Sequence, residues 1–132
     1  MVIVHGDHAP DDEPFFAAIS QMREIVQSAG SLRLVVYAAG NGGPNARQRV
    51  AFRLLADLPL RAVLISDSAP MRALITAAAW VMQQPLRATS TRETAAVIAF
   101  LELNTSERLV MNRVLIKLCE EGGFPKPQGE WR

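Results

Sequence analysis

Leu32–Ala38, LRLVVYA, is the stretch of sequence that decides the fold, because it is an almost continuous apolar run with two β-branched valines at its centre. Such a run is typical of a strand that is covered on both faces, and strands of this kind lie centrally in parallel sheets. The turn GNGGPN at 40–45 follows, and its glycines permit positive φ and leave the loop without bulky side chains. Pro44 suits the first turn of a helix, so we expect the next helix to begin at Pro44 or Asn45. The stretch therefore predicts an open helix N-terminus at the carboxyl end of a strand, where α/β sheets bind ligands and partners.

Strands and helices alternate on both sides of this stretch. Gly30 and Pro59 mark its ends, since glycine closes helices and proline interrupts them. The alternation predicts an α/β fold with a small, mostly parallel four-stranded sheet and an extra C-terminal helix. We expect one domain over 1–123 and an irregular tail over 124–132. The predicted strands are 1–6, 32–38, 61–66 and 86–89. The first predicted helix begins between 11 and 14, and the second begins at 44 or 45. The other three predicted helices run over 71–82, 91–103 and 105–121.

The composition is that of a compact, folded chain of 132 residues. Apolar residues make up 49% of it and charged residues 20%, which argues against disorder. The net charge is +1 and the basic residues are scattered, so we expect neither nucleic acid nor a membrane as a partner. Cys119 is the single cysteine, which excludes an intrachain disulfide and makes the reducing cytoplasm the default location. No apolar run approaches the roughly 18 residues that a spanning helix needs.

Three parts of the chain carry a resemblance to a known family. They are the strand and loop at 34–45, the strand and turn VLISDSAP at 63–70, and the last strand and helix at 86–103. In pattern and spacing, 32–103 resembles the STAS-like fold of bacterial anti-sigma-factor antagonists and of the uncharacterised SpoIIAA-like proteins. The resemblance implies a small α/β signalling domain that binds a protein partner, such as a regulator or a kinase. The terminal helix and the lack of a clear pair of opening strands depart from the family.

The family's regulatory serine has no counterpart in this chain. Family members carry an Asp-Ser-Ser-Gly turn whose second serine is phosphorylated by a partner kinase. Placed on Asp67 and Ser68, that turn puts Ala69 at the phosphoacceptor position. Aligned from the C-terminal elements instead, it falls on 41–44, which has no hydroxyl group. Either register implies the family's fold and partner docking without its phosphorylation cycle.

The N-terminal segment holds the one cluster of residue types that bind metals. Imidazole and carboxylate side chains suit zinc, iron or manganese, and His5 and Asp7 would share one face of a strand while His8 lies in a turn. No third histidine exists, and Asp11 and Asp12 suit the start of a helix. We therefore predict no metal site and no cofactor, with His5, Asp7 and His8 as the metal alternative.

The glycine turn is the first candidate binding loop. Backbone N–H groups around Asn41, Gly42, Gly43 and Asn45 would form an anion site supported by Arg47, although a tight turn explains the glycines equally well. The loop lacks the lysine and hydroxyl of a phosphate-binding loop and the spacing of a dinucleotide fingerprint.

The turn at 67–70 is the second candidate loop. Ser68 beside Asp67 would be a nucleophile only with a base nearby, and the chain has no Gly-x-Ser-x-Gly motif. We therefore interpret Ser68 as a helix cap.

Two further features predict contact surfaces. Trp80, Met82 and Trp131 suit an interface, where tryptophan is a common anchor, although Trp80 would also cover the sheet edge. The last helix carries an apolar stripe that either completes the core or pairs with a second copy, and both alternatives stay open. The residues of this stripe are Leu109, Val110, Val114 and Leu118.

Together these features predict a non-enzymatic STAS-like interaction or regulatory module. It would recognise a protein partner through the loops 41–45 and 67–70 and the helices that they begin, with homodimerisation left open. The alternative is a small-ligand or anion binder, for nucleotide or phosphate, or a weak hydrolase, using the loop 40–45 with Arg47 and the segment 5–12.

Overall fold

The protein is an α/β fold built on one four-stranded sheet. The computed structural model describes residues 1–128. Its elements are β1 (Val2–His5), α1 (Asp12–Ala29), β2 (Leu32–Ala38), α2 (Ala46–Ala51) with a 3-10 turn (Phe52–Leu55), β3 (Leu60–Ile65), α3 (Ala69–Met82), β4 (Leu86–Thr89), α4 (Thr94–Leu101) and α5 (Thr105–Gly122). All four strands are parallel and lie in the order β1-β2-β3-β4, which confirms the predicted fold class. Within 1–128, every helix is too short or too polar to cross a membrane.

The two central strands are covered on both faces, as their apolar sequence predicts. Alternate side chains point to opposite faces, so Val35 and Val63 lie side by side on one face, and Leu34 and Ala62 on the other. The first face packs against α4 and α5. The second packs against α1 and the 3-10 turn. Two helical layers therefore enclose β2 and β3, whereas β1 and β4 form the edges of the sheet.

The last helix completes the core of this domain. Met111, Leu115 and Cys119 lie on its inner face and are buried against the sheet. Burial raises the pKa of the Cys119 thiol, so this cysteine acts as a packing residue. The predicted stripe does not form this inner face, because three of its four residues are exposed: Leu109, Val110 and Val114. Of its two alternatives, completion of the core is wrong for these residues, and pairing with a second copy stays a prediction.

The fourth helix begins at Thr94, later than the predicted start at 91. The carboxylate of Glu93 accepts hydrogen bonds from the hydroxyl of Thr89 at 2.6 Å and from the backbone N–H of Ser90 at 3.2 Å. The hydrogen bond from Thr89 is the main reason that the pKa of Glu93 lies below its usual value. The predicted capping pair Ser90 and Glu93 therefore closes the turn after β4, and the helix starts only after that turn.

The inner face of α5 gives a direct test of this packing. Leu115 has no exposed surface, whereas Val114 beside it is 38% exposed. We expect Leu115→Ala to lower the free energy of unfolding by about 3 kcal/mol, because it leaves a cavity in the core. Val114→Ala is the matched control and should cost less than about 1 kcal/mol. Urea denaturation monitored by circular dichroism measures both, and equal losses would contradict the assigned face of α5.

Candidate functional site

The carboxyl ends of the strands meet the C-terminal tail at a cleft of about 510 Å³. The loops after the four strands and the residues after α5 form its walls. This is the edge at which α/β sheets usually bind ligands. Of the predicted loop residues, Asn41, Asp67 and Ser68 line the cleft. The described lining does not include the other four: Gly42, Gly43, Asn45 and Arg47.

Gly40 and Gly42 allow the loop after β1 to lie close to the backbone of the loop 40–43. Positive φ is confined, within 1–128, to other residues, so the expectation of positive φ in this loop is wrong. A Cβ atom at Gly42 would overlap the carbonyl oxygens of Gly6 and His8, and one at Gly40 would overlap the Asp7 carboxylate. The loop after β1 thus lies directly on the loop after β2, and only glycine fits at the crossing.

The backbone donors of this loop are engaged within the protein. The N–H of Gly42 donates to the carbonyl of Gly6 at 3.1 Å. The N–H of Asn41 donates to the carboxylate of Asp7 at 3.2 Å. A carboxylate of the protein itself therefore occupies the position at which an anion would bind.

Arg47 points toward α1 and away from the glycine loop. Its guanidinium donates to the carboxylate of Asp12 at 2.9 Å and lies over the ring of Phe16. The pair is largely exposed, so its contribution to stability is small. Arg47 therefore does not supply the cation expected for a phosphate at this loop. The arginine beside the loop is Arg49, whose guanidinium donates to the carbonyl of Pro44 at 2.9 Å.

Gln48 is the residue on this side of the sheet that sequence reasoning missed. It is fully buried, and it forms a reciprocal capping box with Asn45 at the start of α2. Its side-chain amide also donates to the carbonyl of Pro10 at 2.6 Å and to Asp12 at 3.0 Å. Gln48 thus fixes α2 to the loop after β1. The Asn-x-x-Gln spacing was the available local signal, since it matches a capping box.

The second loop is held by Asp67. Its carboxylate accepts hydrogen bonds from the backbone N–H and the hydroxyl of Thr91, at 3.1 and 3.0 Å. Ser68 accepts from the N–H of Met71 at 3.4 Å, which confirms its predicted role as the cap of α3. The buried Ser66 also accepts from the N–H of Ser68. These bonds fix the start of α3 relative to the end of β4.

The N-terminal segment does not assemble a metal centre in the described part of the chain, where no three His, Cys, Asp or Glu side chains converge. Burial lowers the pKa of His5, and hydrogen bonding to the Gly6 backbone offsets part of that shift. His8 is exposed, and Asp7 faces the cleft. Asp11 is the N-cap residue of α1. The segment thus begins a helix and supports the neighbouring loop, as its acidic residues suggested.

The tail beyond α5 covers one side of the cleft. The phenol of Tyr37 donates to the carbonyl of Pro125 at 2.8 Å. Phe124 packs where Gly6 and Gly122 leave room for its ring. Lys126 forms an ion pair with Glu120 at 2.6 Å. Residues 124–128 form neither helix nor strand, while Trp131 lies outside the described residues.

The charges of the cleft favour cations over anions. Asp7 and Asp67 contribute two carboxylates, and the one lysine in the described lining, Lys126, is already paired with Glu120. A phosphate would therefore enter a site of negative potential without a free positive partner.

Helix α3 is the exposed apolar element beside this edge. It has no buried residue, and it packs mainly on the edge strand β4. Leu74 is 48% exposed, Trp80 83% and Val81 85%. The single charged side chain of the helix, Arg72, donates to the carbonyl of Ser66 at 2.8 Å. A helix that is apolar all round normally lies inside a protein, whereas residues 1–128 leave the outer side of this one exposed.

Comparisons of the chain with protein-family models, with curated proteins and with solved structures found no match.

The crossing of the two loops is open to a matched test. We expect Gly42→Ala to lower the free energy of unfolding by about 2 to 3 kcal/mol, because its methyl group would press on backbone atoms that cannot move aside. Gly43→Ala is the control, since its Cβ would meet only the flexible end of Met71, at 3.2 Å. That change should stay within about 1 kcal/mol of the parent. Similar stability of the two variants in urea denaturation would contradict the close approach of the loops.

Proposed function

We propose that this protein is a non-enzymatic, STAS-like interaction module that binds another protein chain through α3 and the loop 67–70 that leads into it. The observation that carries the proposal is the outer side of α3, which is apolar and uncovered. Exposed apolar surface bounded by polar loops is typical of sites that bind other proteins.

The free energy available at this surface is sufficient for recognition. Complete burial of a leucine, valine or aromatic side chain contributes about 1.5 to 3 kcal/mol. Leu74, Trp80 and Val81 together therefore offer several kcal/mol when a partner covers them. Tryptophan is also among the residues that most often dominate binding at interfaces.

Hydrogen bonds anchor the two ends of this surface to the rest of the protein. Ser68 and Arg72 fix the first turn of α3, and Asp67 ties the preceding loop to Thr91. At the other end, the side chain of Gln84 donates to the carbonyls of Ala56 and Leu58. Because both ends are anchored, the start and the end of α3 need little ordering when a partner binds, which reduces the entropic cost of association.

The glycine loop supports this surface from the side. Gly43 lies next to Met71 in the first turn of α3, so the two predicted loops are neighbours. Asn41 is exposed beside them, whereas the side chain of Asn45 caps α2. Asn41 is therefore the loop residue best placed to contact the same partner.

Recognition of this kind needs no phosphorylation. Ala69 has no hydroxyl group, and the loop 41–44 has none either. The hydroxyl of Ser68 is used as the cap of α3. Binding would instead depend on the apolar face, which does not switch with a kinase.

The cleft under the tail favours a second candidate, the binding of a small ligand. Its two carboxylates and its paired lysine suit a cationic ligand better than a nucleotide or phosphate. The geometry therefore gives the anion-binding alternative less support than the interaction module.

Site-specific photo-crosslinking tests the interaction module. A photo-reactive phenylalanine derivative replaces Ala77 on the outer side of α3 or, as a control, Gln27 on the exposed side of α1 in the full chain in its own cells. We expect covalent adducts with a protein chain from position 77 and few from position 27. The double variant Trp80→Gln, Val81→Gln should abolish them without lowering the thermal midpoint. Equal yields from the two positions, or no adduct from position 77, would contradict the proposal.

A further inference from the structure

We infer that the chain covering α3 is a second copy of this protein, packed across a two-fold axis that passes beside Ala77. This inference rests on the proposed function, because it names the partner of the same surface. It also provides the cover that the exposed side of α3 lacks.

Other exposed apolar residues do not have the character of this surface. Val50 and Leu54 directly follow Arg49 and Arg53, two exposed arginines that keep that side of α2 and the 3-10 turn polar. On α5, the exposed leucine and valines are likewise interspersed with arginines. On α3 the exposed side chains include no charged group: they are Ala69, Pro70, Ala73, Leu74, Thr76, Ala77, Trp80 and Val81.

An uncharged surface is suited to contact with a copy of itself. A two-fold axis brings the same patch of both copies together, so any charge near the axis would face its own like charge. The outer side of α3 has no such charge, and Arg72 is directed toward Ser66. A partner with a charged surface would gain no ion pair here.

The spacing of the outer residues is symmetric about Ala77. In an antiparallel pair of α3 helices crossing there, Leu74 faces Trp80 of the partner copy, since both are three positions from Ala77. Ala73 then faces Val81, four positions away on either side. Large residues thus meet smaller ones, and alanine at the crossing lets the helix axes approach to about 8 Å, the short end of the usual range.

The size of the surface sets the expected strength of association. A helix of 14 residues is about 21 Å long and, with a diameter of about 10 Å, presents roughly 200 Å² on one side. That area is below the roughly 800 Å² per partner of a standard interface. A dimer would therefore also have to use the neighbouring edge strand β4, which packs against α3. We therefore expect a dissociation constant in the micromolar range.

Sedimentation equilibrium of the purified full chain, from about 5 to 500 µM, measures this association. The parent should show a monomer–dimer equilibrium. Ala77→Glu and Ala77→Lys should each weaken it at least about tenfold, because like charges then meet at the axis. An equal mixture of the two variants should restore the dimer, since opposite charges meet in the mixed pair. Gln27→Glu, an exposed change on α1, is the control and should associate like the parent; circular dichroism checks that each variant is folded.

Three results would overturn the inference: a parent that stays monomeric up to the highest concentration, a dimer that Ala77→Glu does not weaken, or a mixture that fails to restore association. These results can be separated from a failure of the proposed function. If the parent is monomeric and position 77 forms adducts with a different protein, only the inference that the partner is a second copy is rejected. If position 77 forms no adduct at all, the proposed docking surface itself is rejected.

Discussion

The structure depends on the need to cover both apolar faces of a parallel sheet. The helices α4 and α5 cover the centre of one face, and Leu115 and Val97 have no exposed surface there. On the other face, α1 and the 3-10 turn cover β1 to β3, and α3 is left to pack on the short edge strand β4. A strand of four residues cannot bury a fourteen-residue apolar helix. The uncovered side of α3 follows from that mismatch.

The loops at the carboxyl edge are organised by backbone contact and leave little free chemistry. Because Gly42 has no side chain, its N–H can donate to the carbonyl of Gly6 in the loop after β1. The buried side chain of Gln48 on α2 donates to the carbonyl of Pro10 in the same loop. Asp7 satisfies the donor of Asn41, and Asp67 satisfies those of Thr91. Polar groups that would otherwise bind a substrate or an anion thus serve to hold the loops. The loops are therefore fixed by contacts within the protein.

Local sequence patterns predicted the elements of the fold. The phase of α5 and the role of the loop glycines depend instead on contacts between residues that are distant in sequence. The run LRLVVYA and the order of strands and helices were sufficient for the parallel sheet. The phase of α5 was not predictable, because both Leu109 and Leu115 belong to plausible helical stripes and only the position of the sheet selects between them. The glycines of the loop 40–43 were misinterpreted for a similar reason, since their requirement comes from Asp7 and its neighbours. For the proposed interaction surface, the residue type of Trp80 suggested a contact, but the exposure of the α3 side chains within residues 1–128 appears only in three dimensions.

Amide hydrogen exchange of the dilute parent protein tests the central claim most directly, namely that α3 is an apolar helix left without a cover. The α3 amides should exchange far faster than those of α5, because a helix without buried side chains opens locally at low cost while α5 opens only with the core. They should become protected as a partner covers the helix. Equal protection of α3 and α5 in the dilute monomer would show that α3 is already stably packed, and would contradict the account.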